Sequence, residues 1–187
     1  MKKFHATVQF SLYLAIVSFA TAMTILAGFF FTGSMGFAFV GYICMIVFVL
    51  LNAIALIVVS VAMYKGKVSG KHGALAIAAQ LTNIPVAIFC MWAGMCLLNI
   101  ARVTFVNETG SELQNVRILG CEESVIENLA PDESELVWIS IPHDCSIQIE
   151  YVQNDSVINR SVYGYLCSSM GMVYTYHIGG QNGPESQ

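Results

Sequence analysis

The stretch LLNIARVTFVNETGSELQ, residues 97–114, divides this chain into two parts of different chemistry. Up to Asn107 the sequence holds Lys2, Lys3, Lys65, Lys67, Lys71 and Arg102, and no Asp or Glu. From Glu108 onward it holds all twelve acids and only two cations, Arg117 and Arg160. The two parts therefore carry +6 and −10, which together make the net charge of −4. Only 11% of the residues are charged, against about 25% in an average soluble domain. One soluble domain rarely segregates charge in this way, whereas two parts in two different solvents do.

Three apolar runs fill the first part: Phe10–Phe31, Phe37–Tyr64 and Ala74–Ala101. None contains Asp, Glu, Lys, Arg or His. Each exceeds the ~20 helical residues that cross a hydrocarbon core about 30 Å thick. In lipid every backbone polar group must be satisfied within its own segment, so the runs are expected to be helices. The expected organisation is a three-helix transmembrane domain over residues 1–101. A small β domain over residues 102–178 and a disordered tail over 179–187 complete it. The MKKFH start and Ala20-Thr21-Ala22 also fit the outline of a secretory signal peptide. The apolar run continues past that point through MTILAGFFF, which favours an uncleaved helix.

Lysine placement sets the expected topology. Lys2 and Lys3 precede the first run, and KGKVSGKHG (65–73) lies between the second and third. Basic loops stay in the cytoplasm, which places the N-terminus inside and everything after Arg102 outside. Arg102 is the discordant charge, read as a cap on the end of the third helix. The MKK start, short hairpins and small size point toward a bacterial inner membrane.

Beyond Arg102 the period becomes two. SIQIEYV (146–152) and MVYTYHI (172–178) alternate, while RVTFVN, QNVRIL, ELVWISI and RSVYGYL are rich in β-branched and aromatic residues. NETGSE, LAPDES, IPHD and QNDS supply turns. Six or seven short strands at this spacing predict an antiparallel, sandwich-like all-β domain.

Cys121, Cys145 and Cys167 lie in this part. An oxidising compartment allows one disulfide among them, with the pair undetermined. His143, Cys145, Cys167, Met170, Met172 and His177 include every donor type of a blue-copper site. The Cys, Met, His order of CSSMGMVYTYH is unsuited to one, and these read as ordinary strand and turn residues. Acids such as Glu122, Glu123, Asp132, Glu133 and Glu135 cluster at turns as a solvated face, without the D-x-D-x-D-G calcium loop. The motifs G-x-S-x-G, H-E-x-x-H, G-x-x-x-x-G-K-[ST] and C-x-x-C are absent, and no enzyme, catalytic residue or cofactor is predicted. No basic patch exists beyond the helices for nucleic acid. Sequons occur at Asn107, Asn154 and Asn159; the first is expected to lie too near a bilayer for modification.

Within the apolar runs, Asn52, Gln80, Thr82 and Asn83 are the candidate polar contacts between helices. Pro85 removes a backbone donor and is expected to kink its helix. Ala20, Thr24 and Gly28 form a small-residue stripe suited to close helix packing. The leading functional expectation is a non-enzymatic membrane anchor that presents the β domain to a protein partner or a second copy. The alternatives are an accessory subunit of a transporter or channel and an extracytoplasmic copper-binding domain.

Overall fold

The helical hydrogen-bond ladder stops at Leu98, and the strands begin two residues later. The computed structural model describes residues 2–154 and 156–180. The expected tail lies outside the described residues apart from Gly179 and Gly180. Three helices come first: α1 (Lys2–Thr32), α2 (Met35–Tyr64) and α3 (Gly70–Leu98). All three are long and apolar enough to cross a membrane. The third ends before the expected Ala101, and the cause is visible at its terminus. Asn99 Nδ2 donates to the Met95 carbonyl at 2.9 Å, capping the last turn, and β-branched Ile100 opens the first strand. Arg102 is therefore a strand residue rather than a helix cap.

The chain divides into two compact units, Met1–Gly94 and Met95–Gln187. In the first, α1 buries Val8, Ser11, Leu14, Ala15, Ser18 and Phe29. This face is not the expected stripe, since Ala20 and Thr24 are exposed. A four-residue repeat drifts around a helix of 3.6 residues per turn, while positions seven apart, such as Ser11 and Ser18, stay aligned. Gly28 is half-buried against the Phe37 ring of α2. The helix α3 continues through Pro85, which is exposed.

The second unit opens with the last turn of α3. Seven strands follow: β1 (Ile100–Asn107), β2 (Leu113–Gly120), β3 (Ser124–Leu129), β4 (Ser134–Ser140), β5 (Cys145–Gln153), β6 (Ser156–Leu166) and β7 (Met172–Ile178). They form two sheets, ordered β4-β1-β7 and β3-β2-β5-β6. All ladders are antiparallel except β1 with β7, which departs from the all-antiparallel expectation. The strands run alternately away from and back toward α3. Since β6 returns to the helix end, β7 must set out in the same direction as β1, and the two can only pair in parallel.

Buried residues of both sheets belong to one apolar cluster, including Phe105 and Ile139 of the first and Ile118, Ile126, Ile149 and Leu166 of the second. Each such side chain contributes about 1.5–3 kcal/mol on burial. Backbone bonds tie the helix terminus to this unit. Gly171 N–H donates to the Leu98 carbonyl at 2.6 Å, and Ile141 N–H to the Asn99 carbonyl at 2.8 Å. Ser169 N–H donates to Asn99 Oδ1 at 3.2 Å.

Gly171 is required by proximity, because a Cβ there would lie 2.0 Å from the Leu97 carbonyl oxygen. Gly164 on β6 has open space around its Cα. Gly171→Ala is expected to destabilise the β unit by about 1–3 kcal/mol through forced backbone movement. Gly164→Ala should change stability by less than about 0.5 kcal/mol. Thermal unfolding of the detergent-solubilised variants, followed by near-ultraviolet circular dichroism, measures both.

Candidate functional site

The helical unit gathers polar side chains where its three helices meet. Asn52 of α2 donates through Nδ2 to Ser18 Oγ of α1 at 2.8 Å and to its own Phe48 carbonyl at 2.7 Å. Ser18 Oγ in turn donates to the Leu14 carbonyl at 2.6 Å. Asn83 of α3 donates through Nδ2 to Asn52 Oδ1 at 3.3 Å and to the Ala15 carbonyl at 3.1 Å. Gln80, one helical turn earlier, donates through Nε2 to the carbonyl and hydroxyl oxygens of Ser11 at 2.8 and 3.0 Å. Ser11, Ser18 and Gln80 are buried.

Three of the four predicted polar residues thus meet, and Thr82 does not. Its hydroxyl donates to the Ala78 carbonyl of its own helix and faces outward. The serines of α1 had no place in the sequence expectation, although their seven-residue spacing was a usable signal. Chemically the cluster is amide and hydroxyl throughout. It has no group that titrates near neutral pH, so it can register helices but cannot relay protons. Gln80 Oε1 is buried without a hydrogen-bond partner among the described residues.

In the β unit a disulfide joins Cys121, just after β2, to Cys145 at the start of β5, with Cα atoms 5.1 Å apart. Gly120 lets these segments meet. It adopts φ +115°, and a Cβ would lie 1.8 Å from the Ser146 carbonyl oxygen. Cys167 is a half-buried free thiol, as are Cys44 and Cys90 of the helices, while the free Cys96 is exposed.

The copper donors are not assembled. Cys145 is in the disulfide, and Cys167 and His177 lie at opposite ends of the unit, separated by the length of β7. His177 Nδ1 is 2.6 Å from Glu108 Oε1. Among the described residues no three His, Cys, Asp or Glu side chains stand close enough to share a metal.

Several acids have structural partners. Glu122 accepts the Ser140 N–H at 2.7 Å, and Glu133 accepts the Ala130 N–H at 2.8 Å. Asp144 accepts the Tyr165 hydroxyl at 2.7 Å. That bond, followed by one to Cys167, pushes the Tyr165 phenol above its ordinary pKa. Arg102 is buried beneath the Trp138 ring, 5.9 Å from its centroid, and burial lowers the guanidinium pKa.

The most connected polar residue is Asn107. Its Nδ2 donates to the carbonyls of Ser111, Leu129 and Ala130 at 2.8, 2.8 and 3.1 Å. Its Oδ1 accepts the Thr109 N–H and hydroxyl at 3.0 and 2.7 Å. Its main chain bonds Glu133 O and Asp132 N. Asn107 sits at the end of β1 remote from α3, fully buried, so burial rather than nearness to the helices closes this sequon. Asn154 and Asn159 are exposed.

Comparison with protein-family models, characterised proteins and solved structures finds no match to this chain.

Two mutational outcomes follow from these bonds. Asn52→Leu should destabilise the helical unit by about 1–2 kcal/mol, because three bonds are lost between and within helices. Gln80→Leu should have a smaller effect, since it also removes an unpaired buried carbonyl, and Thr82→Val should change stability by less than about 0.5 kcal/mol. Unfolding in mixed micelles with increasing sodium dodecyl sulfate, read by Trp92 emission in a Trp138→Phe background, ranks the three. In the β unit, Asn107→Ala should cost about 2–4 kcal/mol, because it removes five side-chain bonds at a fully buried position. Asn159→Ala on exposed β6 serves as the neutral comparison in thermal unfolding.

Proposed function

We propose that this chain is an integral membrane protein without enzymatic activity. Its three helices cross the bilayer and hold a sandwich of two sheets outside the cytoplasm, where the sandwich meets a protein partner or a second copy. The observation that carries the membrane reading is the inverted polarity of the helical unit. Its polar side chains turn inward, with Ser11 at 1%, Gln80 at 4% and Ser18 at 7% exposure. Large apolar side chains turn outward, among them Leu50 at 60%, Ile57 at 62% and Trp92 at 61%. Water does not tolerate so large an apolar surface, whereas lipid requires it. The orientation rests on the lysines of the 65–73 connection and the acids beyond Glu108.

The partner reading rests on the β5–β6 hairpin. The strand β6 is an edge of its sheet and the longest strand in the unit. Val152 and Val157 face each other across this hairpin at 55% and 67% exposure. An edge strand beside exposed valines is a template for strand addition or for packing against another chain. The interhelical cluster supports helix registration rather than a transport path, because its amide donors are already committed to neighbouring helices. Small residues Ala20 and Thr24 remain exposed on α1, where another helix can approach.

A photo-activatable residue at Val157, expressed in native membranes, tests the partner reading. The expected result is one discrete cross-linked species, with native mass spectrometry giving the matching stoichiometry. A strictly monomeric protein that forms no adduct sinks the reading.

A further inference from the structure

We propose that the end of the β unit nearest α3 seats in the polar–apolar boundary of the bilayer, with Trp138, Tyr165, Met170 and Val173 as its lipid anchors. The inference rests on the membrane reading above and adds to it a contact surface and its chemistry.

Three observations converge on this end of the unit. The first is continuity: Ile141 and Gly171, of the 141–144 and 167–171 loops, donate N–H groups to the Asn99 and Leu98 carbonyls, so these loops lie beside the end of α3. The second is composition. Trp138 and Val173 both pair with Arg102 and form one row across β4, β1 and β7, on the face opposite buried Ala101 and Val103. Trp138 is 47% exposed and Val173 41%, while Met170 and Tyr165 on or beside the 167–171 loop reach 47% and 63%. Indole and phenol rings favour the headgroup boundary, where the apolar body meets acyl chains and the N–H or O–H meets water.

The third observation is charge. The loops at the opposite end carry Glu108, Glu112, Asp132 and Glu133, with Glu135 in the first turn of β4 nearby. The helix end carries three acids, Glu122, Glu123 and Asp144, of which Glu122 accepts the Ser140 N–H and Asp144 the Tyr165 hydroxyl. Carboxylates are therefore fewer where lipid contact is proposed than at the opposite end. Arg102, beneath the indole, braces Trp138 from the sheet side.

The protein has two tryptophans, Trp92 in α3 and Trp138 in β4, which allows a direct test. Full-length Trp92→Phe protein in phosphatidylcholine nanodiscs reports Trp138 alone, and Trp138→Phe reports Trp92 alone. The difference between wild type and Trp138→Phe gives the Trp138 signal should Trp92→Phe fail to fold. The expected result is blue-shifted Trp138 emission, quenched more by lipids brominated high on the acyl chain than by lipids brominated low. Trp138 emission that is insensitive to bromine, whether or not iodide quenches it, overturns the proposal while bromine quenching of Trp92 keeps the membrane reading intact. Absence of bromine quenching at both tryptophans overturns the membrane reading and the proposal together.

Discussion

The last carbonyls of an α-helix have no partner within the helix, and here Asn99 and the 167–171 loop supply donors to three of them. Gly171 and Ile141 donate their N–H groups to Leu98 and Asn99, and Asn99 spends its side chain on both the helix and the 167–171 loop. This junction explains why the third apolar run stops being helical before it stops being apolar. It also fixes where the β1 register begins and which loops must lie beside the helix end. A side chain at position 171 is incompatible with it, because the approach is backbone against backbone.

The two units distribute polarity in opposite ways. In the helical unit, Ser11, Ser18 and Gln80 are buried, while large apolar side chains such as Leu50, Ile57 and Trp92 are exposed. In the strands, apolar side chains are buried because water rejects them, and carboxylates crowd the loops. Asn52 and Asn107 show the contrast at single residues. Asn52 joins helices whose backbones are already satisfied, so its loss is modest. Asn107 makes five side-chain bonds that join the β1–β2 and β3–β4 connections, so its loss propagates into three segments of the β unit.

Much of this architecture was legible in the sequence, and the gaps have physical causes. Acid-free apolar runs and lysine-bearing connections marked the helices, and period-two alternation marked β5 and β7. The strand β3, SVIENL, escaped because its exposed Val125 and buried Ile126 are adjacent, which spoils alternation. Parallel pairing of β1 with β7 depends on strand direction, which no local pattern encodes. The cysteine pair depends on β2 and β5 being neighbours and on Gly120 allowing close approach. The small-residue pattern on α1 pointed to Ala20, Thr24 and Gly28, of which only Gly28 packs within the unit, while the buried serines lie on another line of the helix. Asn107 looked like a glycan acceptor because a sequon records residue types and not burial.

A two-sheet unit of this size has little core to hold it, and its cross-links are concentrated at its two ends. At the end remote from α3, Asn107 joins the β1–β2 and β3–β4 connections, and Glu133 accepts the Ala130 N–H. At the helix end, the Cys121–Cys145 disulfide, the Glu122–Ser140 bond and the Tyr165–Asp144 bond bind the returning loops to one another. The apolar cluster between them then needs only to hold the strands face to face. Such an arrangement leaves the outer surfaces of both sheets available for other duties. Trp138 and Val173, which both pair with buried Arg102, and the Val152–Val157 pair expose apolar side chains there.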